Sequence, residues 1–265
     1  MNISKRESWL TLAIVVLVLL ASSAGLALKS IYAREVPSWA VQAYGQDIAN
    51  LVTVAVLLIA VYFFNKGSVK AFLVWIGVLL TLLYAYVIYA FAAHFNSLFL
   101  VYVAIVGLSF YTFFGSMIGL QLDSLQPYFA ATTKARAVSV FLLLVALLFA
   151  LLWLSEDIPA LVSGKVPPSV MENGLLTNPV HVLDLGLLLP AMVITAMLLW
   201  RKKLLGYLFA IPLLVFSILT GIGILATFLV AGSQSMPTSL GVELVIAVIV
   251  AVSLVLSVLY LREVK

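Results

Sequence analysis

Two histidines occur in the chain, His94 and His181, and each is followed closely by a second polar side chain, Asn96 and Asp184. His181 and Asp184 are three residues apart, and Asp47 and Asn50 repeat that spacing. On a helix this places both side chains on one face. An imidazole beside a carboxylate can relay protons, because histidine titrates near neutral pH. With Glu243 as a further acid, the two histidines and their carboxylates could instead hold Zn²⁺, Mn²⁺ or Fe²⁺, or the histidines could ligate a haem iron. No H-E-x-x-H or H-x-x-x-H spacing is present, so a proton or ligand site ranks above a metal and a metal above haem. No serine–histidine–acid spacing, phosphate loop or dinucleotide fingerprint points to any other reaction. The chain has no cysteine, which excludes thiol redox chemistry, disulfides and thiolate metal sites.

Aromatic residues surround His94 in the sequence. Tyr84, Tyr86 and Tyr89 precede it and Tyr102 follows. Tyr86 and Tyr89 fall on one helix face, with Tyr102 at comparable depth opposite. They could line a pocket for a quinone, isoprenoid or lipid tail, with hydroxyls as donors. The competing explanation is an interfacial aromatic belt.

The elements that must position these groups are membrane spans. The chain is 265 residues, 65% hydrophobic and 9% charged, so the surrounding solvent is lipid. A span takes about 20 mostly apolar residues, and backbone groups in lipid must be satisfied internally, which makes helices the default. The pattern predicts an all-α, polytopic bundle of eight spans at about 9–28, 47–65, 71–94, 98–121, 137–154, 180–200, 204–231 and 241–261. The first follows Lys5 and Arg6 and is long for a signal sequence; Ala21-Ser22-Ser23-Ala24 lies inside it, so it is expected to stay uncleaved.

Alternating connections sort the charges. Lys5, Arg6, Lys66, Lys70, Lys134, Arg136, Arg201, Lys202, Lys203, Arg262 and Lys265 share one side, leaving only Lys29, Arg34 and Lys165 of the 14 basic residues on the other. Seven of the ten acids lie on that second side: Glu35, Asp47, Glu156, Asp157, Glu172, Asp184 and Glu243. The positive-inside rule then puts both termini in the cytoplasm, and a plasma membrane in a prokaryote is expected. No basic segment is long or aromatic-interleaved, so nucleic acid is not an expected partner, whereas the bilayer is.

With these boundaries Asp47, Asp184 and Glu243 stand near helix N-termini, where the dipole favours an acid, and this supplies a purely structural explanation for them. Asn178-Pro179 reads as an N-cap followed by proline at N1. The connection 155–179 is broken by Pro159, Pro167 and Pro168, and 123–136 is expected to hold a surface helix or turn. Spans 2–3 and 6–7 each pair an outer acid with an inner lysine at similar offsets, Asp47 with Lys66 and Asp184 with Lys202. This suggests two parallel four-helix halves, 1–136 and 137–265, against the alternative of one membrane domain. Gly115 and Gly119 form a G-x-x-x-G that suits close helix approach in the bundle or a homo-oligomer. Pro190, Pro212, Gly221 and Gly223 are expected to bend or loosen spans 6 and 7.

Gly45-Gln46-Asp47 through Asn50, the Lys66-Gly67-Ser68 turn, Tyr89 to Tyr102, and Asn178-Pro179-Val180-His181-Val182-Leu183-Asp184 resemble a family of uncharacterised prokaryotic multi-pass membrane proteins. That resemblance spans the central two-thirds of the chain and implies no activity. Disulfide-forming and vitamin K reductase types need cysteines this chain lacks. Haem A synthase shares the eight-span, two-half plan but uses four histidines. The expected function is a transporter or small-ligand-binding protein whose outward-facing site uses Asp47, Asn50, Tyr86, Tyr89, His94, Asn96, His181, Asp184 and Glu243. The alternatives are a metal- or haem-dependent membrane oxidoreductase, a lipid-modifying enzyme, and a scaffold subunit.

Overall fold

The computed structural model describes residues 5–129 and 134–265. Eight helices in it are long and apolar enough to cross a membrane: α1 (Lys5–Ala27), α2 (Pro37–Asn65), α3 (Val69–Ala92), α4 (Phe99–Ile118), α5 (Ala135–Ser163), α6 (Pro179–Trp200), α7 (Leu204–Ser233) and α8 (Leu240–Glu263). No strand occurs among the described residues. This fits a multi-pass membrane protein. One end of the bundle carries the tight basic turns at Lys66 and at Arg201–Lys203, and the other carries the acidic connections.

The caps follow local chemistry. Ser68 Oγ accepts the Ala71 N–H at the start of α3, and Asn178 Oδ1 accepts the N–H groups of Val180 and His181 at the start of α6. Both satisfy donors that a helix leaves orphaned. Two boundaries differ from the sequence expectation. α2 starts at Pro37, ten residues before Asp47, because Pro37 is pre-organised for a first helical position. α5 continues past residue 154 to Ser163 with Pro159 inside it. Near a helix end, the carbonyl freed by that proline can meet water. The connection after α4 holds a 3-10 turn, Leu122–Leu125, and a short helical turn, Gln126–Phe129; positions 130–133 of the expected surface element lie outside the described residues.

α1 packs on α2 and α4, and α3 packs on the same two helices, closing a four-helix ring. α7 lies against α2, α3, α6 and α8 and so joins this ring to the remaining spans. Glycines permit that central position. A Cβ at Gly45 would overlap Thr227 of α7, and one at Gly77 would stand 2.8 Å from Pro212 O. Gly221 faces Val250 of α8 and Gly223 faces Gln46 of α2, so these two serve close packing of α7. Gly115 stands against the Arg6 Nη2 of α1 and Gly119 against its own preceding turn; neither meets the backbone of another helix. α3 is the most enclosed span, with 67% of its apolar window buried against 28% for α5 and α8. The outer faces of those two helices present Leu144, Leu151, Val248 and Val255 to the surroundings, as lipid requires.

In α6 the helix widens to a π-turn over Asp184–Leu188, where the Leu189 N–H bonds Asp184 O. Pro190 follows directly. A proline ring clashes with the carbonyl four residues back, and a π-turn is one way a helix relieves such a conflict. The bend expected at Pro190 is thus accompanied by a local change of pitch at the acid itself.

Candidate functional site

Two polar clusters lie in the spans, one on each side of α3. Tyr84 and Tyr86 are two residues apart, about 200° around a helix, so the one helix serves both.

The first cluster is built on Asp47, which is 2% exposed. Tyr32 OH donates to Asp47 Oδ2 at 2.6 Å, and Tyr89 OH lies 3.0 Å from Oδ1 and 2.9 Å from Ala43 O. Asp47 sits in the third turn of α2, about 15 Å from its start. The sequence expectation that the helix dipole stabilises Asp47 is therefore corrected, because that effect fades within the first turn. Its partners are hydroxyls from α3 and from the 28–36 connection, which turns back into the bundle and buries Ile31 and Tyr32. Tyr32 packs edge-on to Tyr44 at 5.2 Å and to Trp39 at 6.1 Å. Burial first, and then the Asp47 charge, push the Tyr32 hydroxyl well above the ordinary tyrosine pKa, so it stays a donor. Gly25 of α1 leaves room for the carboxylate: a Cβ there would overlap Asp47 Oδ2.

One turn further along α2, Asn50 Nδ2 donates to Ser22 Oγ at 3.2 Å and lies 3.5 Å from Tyr86 OH, while its Oδ1 accepts from Gln46 Nε2 at 2.9 Å. Ser22 and Tyr86 also share a hydrogen bond of 3.3 Å. The rings of Tyr86, Tyr89 and Tyr102 pack on one another with centroids 5.2–6.0 Å apart. They fill the interior by mutual contact.

The second cluster surrounds Asp184. Tyr84 OH donates to Oδ1 at 2.9 Å and Trp153 Nε1 to Oδ2 at 2.8 Å. His181 stacks on Trp153 with ring centroids 4.5 Å apart. Its Nδ1 lies 3.0 Å from Asp157 Oδ1, and its buried Nε2 has no hydrogen-bond partner among the described residues. Helical spacing thus brings His181 and Asp184 to one region, but the hydrogen bonds of each go to α5 or α3. Ion pairs with Asp47 or Asp184 are absent among the described residues.

The remaining expected site residues lie apart. His94 follows the end of α3 and is half exposed, its Nδ1 at 2.8 Å and its backbone N–H at 2.8 Å from the two oxygens of Glu35. Asn96 Oδ1 accepts the Leu98 N–H at 2.9 Å. Glu243 stands in the first turn of α8 with no side-chain bond to either cluster. The two histidines are held by different carboxylates, His94 by Glu35 of the 28–36 connection and His181 by Asp157 of α5. Among the described residues no three His, Asp or Glu side chains form a group able to hold a metal ion.

Sequence reasoning missed Ser22, Gly25, Tyr32, Glu35, Trp153 and Asp157 as partners. Pro37 was the available signal for the true start of α2, and with it for the depth of Asp47. The geometry offers two buried carboxylates held by neutral donors, a chemistry suited to taking up and releasing protons. No family model, no curated protein and no solved structure matches the chain.

Proposed function

We propose that the chain is a transporter or small-ligand-binding protein of a prokaryotic plasma membrane in which Asp47 exchanges a proton. The observation that carries this reading is the setting of Asp47: buried in the third turn of a span, accepting hydrogen bonds from Tyr32 and Tyr89, with no ion-pair partner among the described residues. An isolated charge in such a place is costly. Hydroxyl donors offset part of that cost, and a proton removes it. The carboxylate can therefore occupy two states that differ in charge and in hydrogen bonding to the 28–36 connection. The chain of Gln46, Asn50, Ser22 and Tyr86 adjoins it and supplies further polar contacts for a ligand or a water file.

The basic excess at one end supports placing that end, with both termini, in the cytoplasm. Asp47 and Asp184 would then be approached from outside. The test is infrared difference spectroscopy of the full chain in lipid, titrated across neutral pH, together with proton flux in proteoliposomes under an imposed pH gradient. A carboxylic-acid band and a flux that both disappear in Asp47→Asn support the reading. Identical spectra and flux in wild type and Asp47→Asn would remove it.

A further inference from the structure

Asp47 is 2% exposed, so a proton that reaches it from solvent has to be handed on by side chains. The acidic end of the bundle holds the parts for such a transfer. His94 is half exposed, and its Nδ1 lies 2.8 Å from Glu35 Oε2. The Glu35 side chain is enclosed, and its other oxygen accepts the His94 backbone N–H at 2.8 Å. An imidazole open to water and bonded to an enclosed carboxylate can carry a proton across that boundary, because its two ring nitrogens take one up and give one away.

Glu35 belongs to the same turn as Tyr32: its backbone N–H bonds Tyr32 O at 3.1 Å. Tyr102 stands one turn into α4. It is buried, and its hydroxyl has no hydrogen-bond partner among the described residues. That hydroxyl is within electrostatic reach of both Glu35 and Asp47 and stands beside Tyr32. The last link is the shortest: Tyr32 OH donates to Asp47 Oδ2 at 2.6 Å. A phenol hydroxyl both donates and accepts, so it can pass one proton on while taking up another.

We infer that His94 and Glu35 form the port through which protons enter and leave Asp47, with Tyr102 and Tyr32 as the carriers between the two acids. The port rests on the reading of Asp47 as a proton-exchanging group and adds its route. In the inward direction, water protonates His94 at Nε2 and Nδ1 gives its proton to Glu35. Tyr32 gives its hydroxyl proton to Asp47 and is refilled by Tyr102, which takes the proton from Glu35. One proton leaves solvent, one arrives on Asp47, and every carrier ends in the charge state in which it began.

The test is a rate, measured on the full chain in lipid by infrared spectroscopy after a rapid pH jump, with the Asp47 carboxylic-acid band identified by its loss in Asp47→Asn. His94→Ala and Tyr102→Phe should each slow protonation of Asp47 by about tenfold or more, while the midpoint and height of its equilibrium titration stay as in wild type. Imidazole added to the solvent should restore the rate in His94→Ala and not in Tyr102→Phe, a rescue that a packing defect would not show. Glu35→Gln keeps an acceptor for the His94 N–H; it should also be slow and should resist imidazole. The inference is overturned, and the Asp47 reading kept, if Asp47 titrates in all three variants at the wild-type rate. It is likewise overturned if His94→Ala is slow and imidazole does not restore it. Absence of an Asp47 band in wild type overturns both.

Discussion

Gly25 of α1 and Asp47 of α2 approach so closely that a single added methyl group would occupy the space of the carboxylate oxygen. The glycine is therefore part of the site, although it carries no functional group. Gly25→Ala must displace Asp47, Tyr32 or the α1–α2 contact, at a cost of about 1–3 kcal/mol for overpacking. Gly107 of α4 has nothing within 4 Å of its would-be Cβ, so Gly107→Ala should be neutral or stabilising by up to about 1 kcal/mol. Thermal unfolding of the two variants in one detergent checks the contrast. Equal melting temperatures would remove the steric argument.

Tyr32 links the connection to the buried acid, and its raised pKa gives a sign. The fold holds the phenol protonated while the unfolded chain releases its proton above the ordinary tyrosine value of 10.0. Above that pH the folded state binds more protons, so stability falls as pH rises; below it the contribution is complete. Melting midpoints of wild type and Tyr32→Phe, measured from pH 8 to 11 as about the accessible range around an unperturbed tyrosine, should differ by a constant below the ordinary value. Above it the wild type should lose more with pH than the variant. Parallel curves throughout would show that Tyr32 is not held in its neutral form.

Eight spans were legible because apolar runs of that length admit no other reading. Asn178 and Pro179 gave the start of α6 directly, because their cap chemistry is local. The depth of Asp47 was not legible. The stretch from Trp39 to Gln46 mixes aromatic and polar residues and reads as a connection, yet it is the first turns of α2, with Trp39, Val41 and Ala43 buried. The partners of the acids were hidden for a different reason. Spacing identifies residues that share a helix face, as His181 and Asp184 do, but such neighbours project side by side. The groups that meet them come from other helices, as Trp153 and Tyr84 meet Asp184, and that depends on packing which no local pattern encodes.

Asp184 connects α3 and α5 through one carboxylate, with Tyr84 on one oxygen and Trp153 on the other. If these bonds hold the two helices together, Tyr84→Phe and Asp184→Asn should be non-additive. Coupling between hydrogen-bonded side chains in membrane proteins averages about 0.6 kcal/mol and reaches about 1.7 kcal/mol, and the upper part of that range is expected for an unpaired acid. A double-mutant cycle on reversible unfolding in mixed micelles measures it. Additive effects would show that Tyr84 merely packs on Phe216, whose ring lies edge-on at 5.0 Å.

The pair formed by His94 and Glu35 is asymmetric, and mutation should reveal which partner matters. His94 is half exposed, whereas the Glu35 side chain is 2% exposed and accepts both the His94 backbone N–H and its ring nitrogen. His94→Ala removes one exposed contact and keeps the backbone bond, so a loss of no more than about 1 kcal/mol is expected. Glu35→Ala strips the backbone N–H of its acceptor as well and opens space beneath the connection, for which about 1–3 kcal/mol is expected. Glu35→Gln retains an amide oxygen for that N–H and should fall between the two. The order of the three melting temperatures is the measurement. A larger loss in His94→Ala than in Glu35→Ala would place the structural weight on the imidazole and would mean that the connection is anchored from the α3 side.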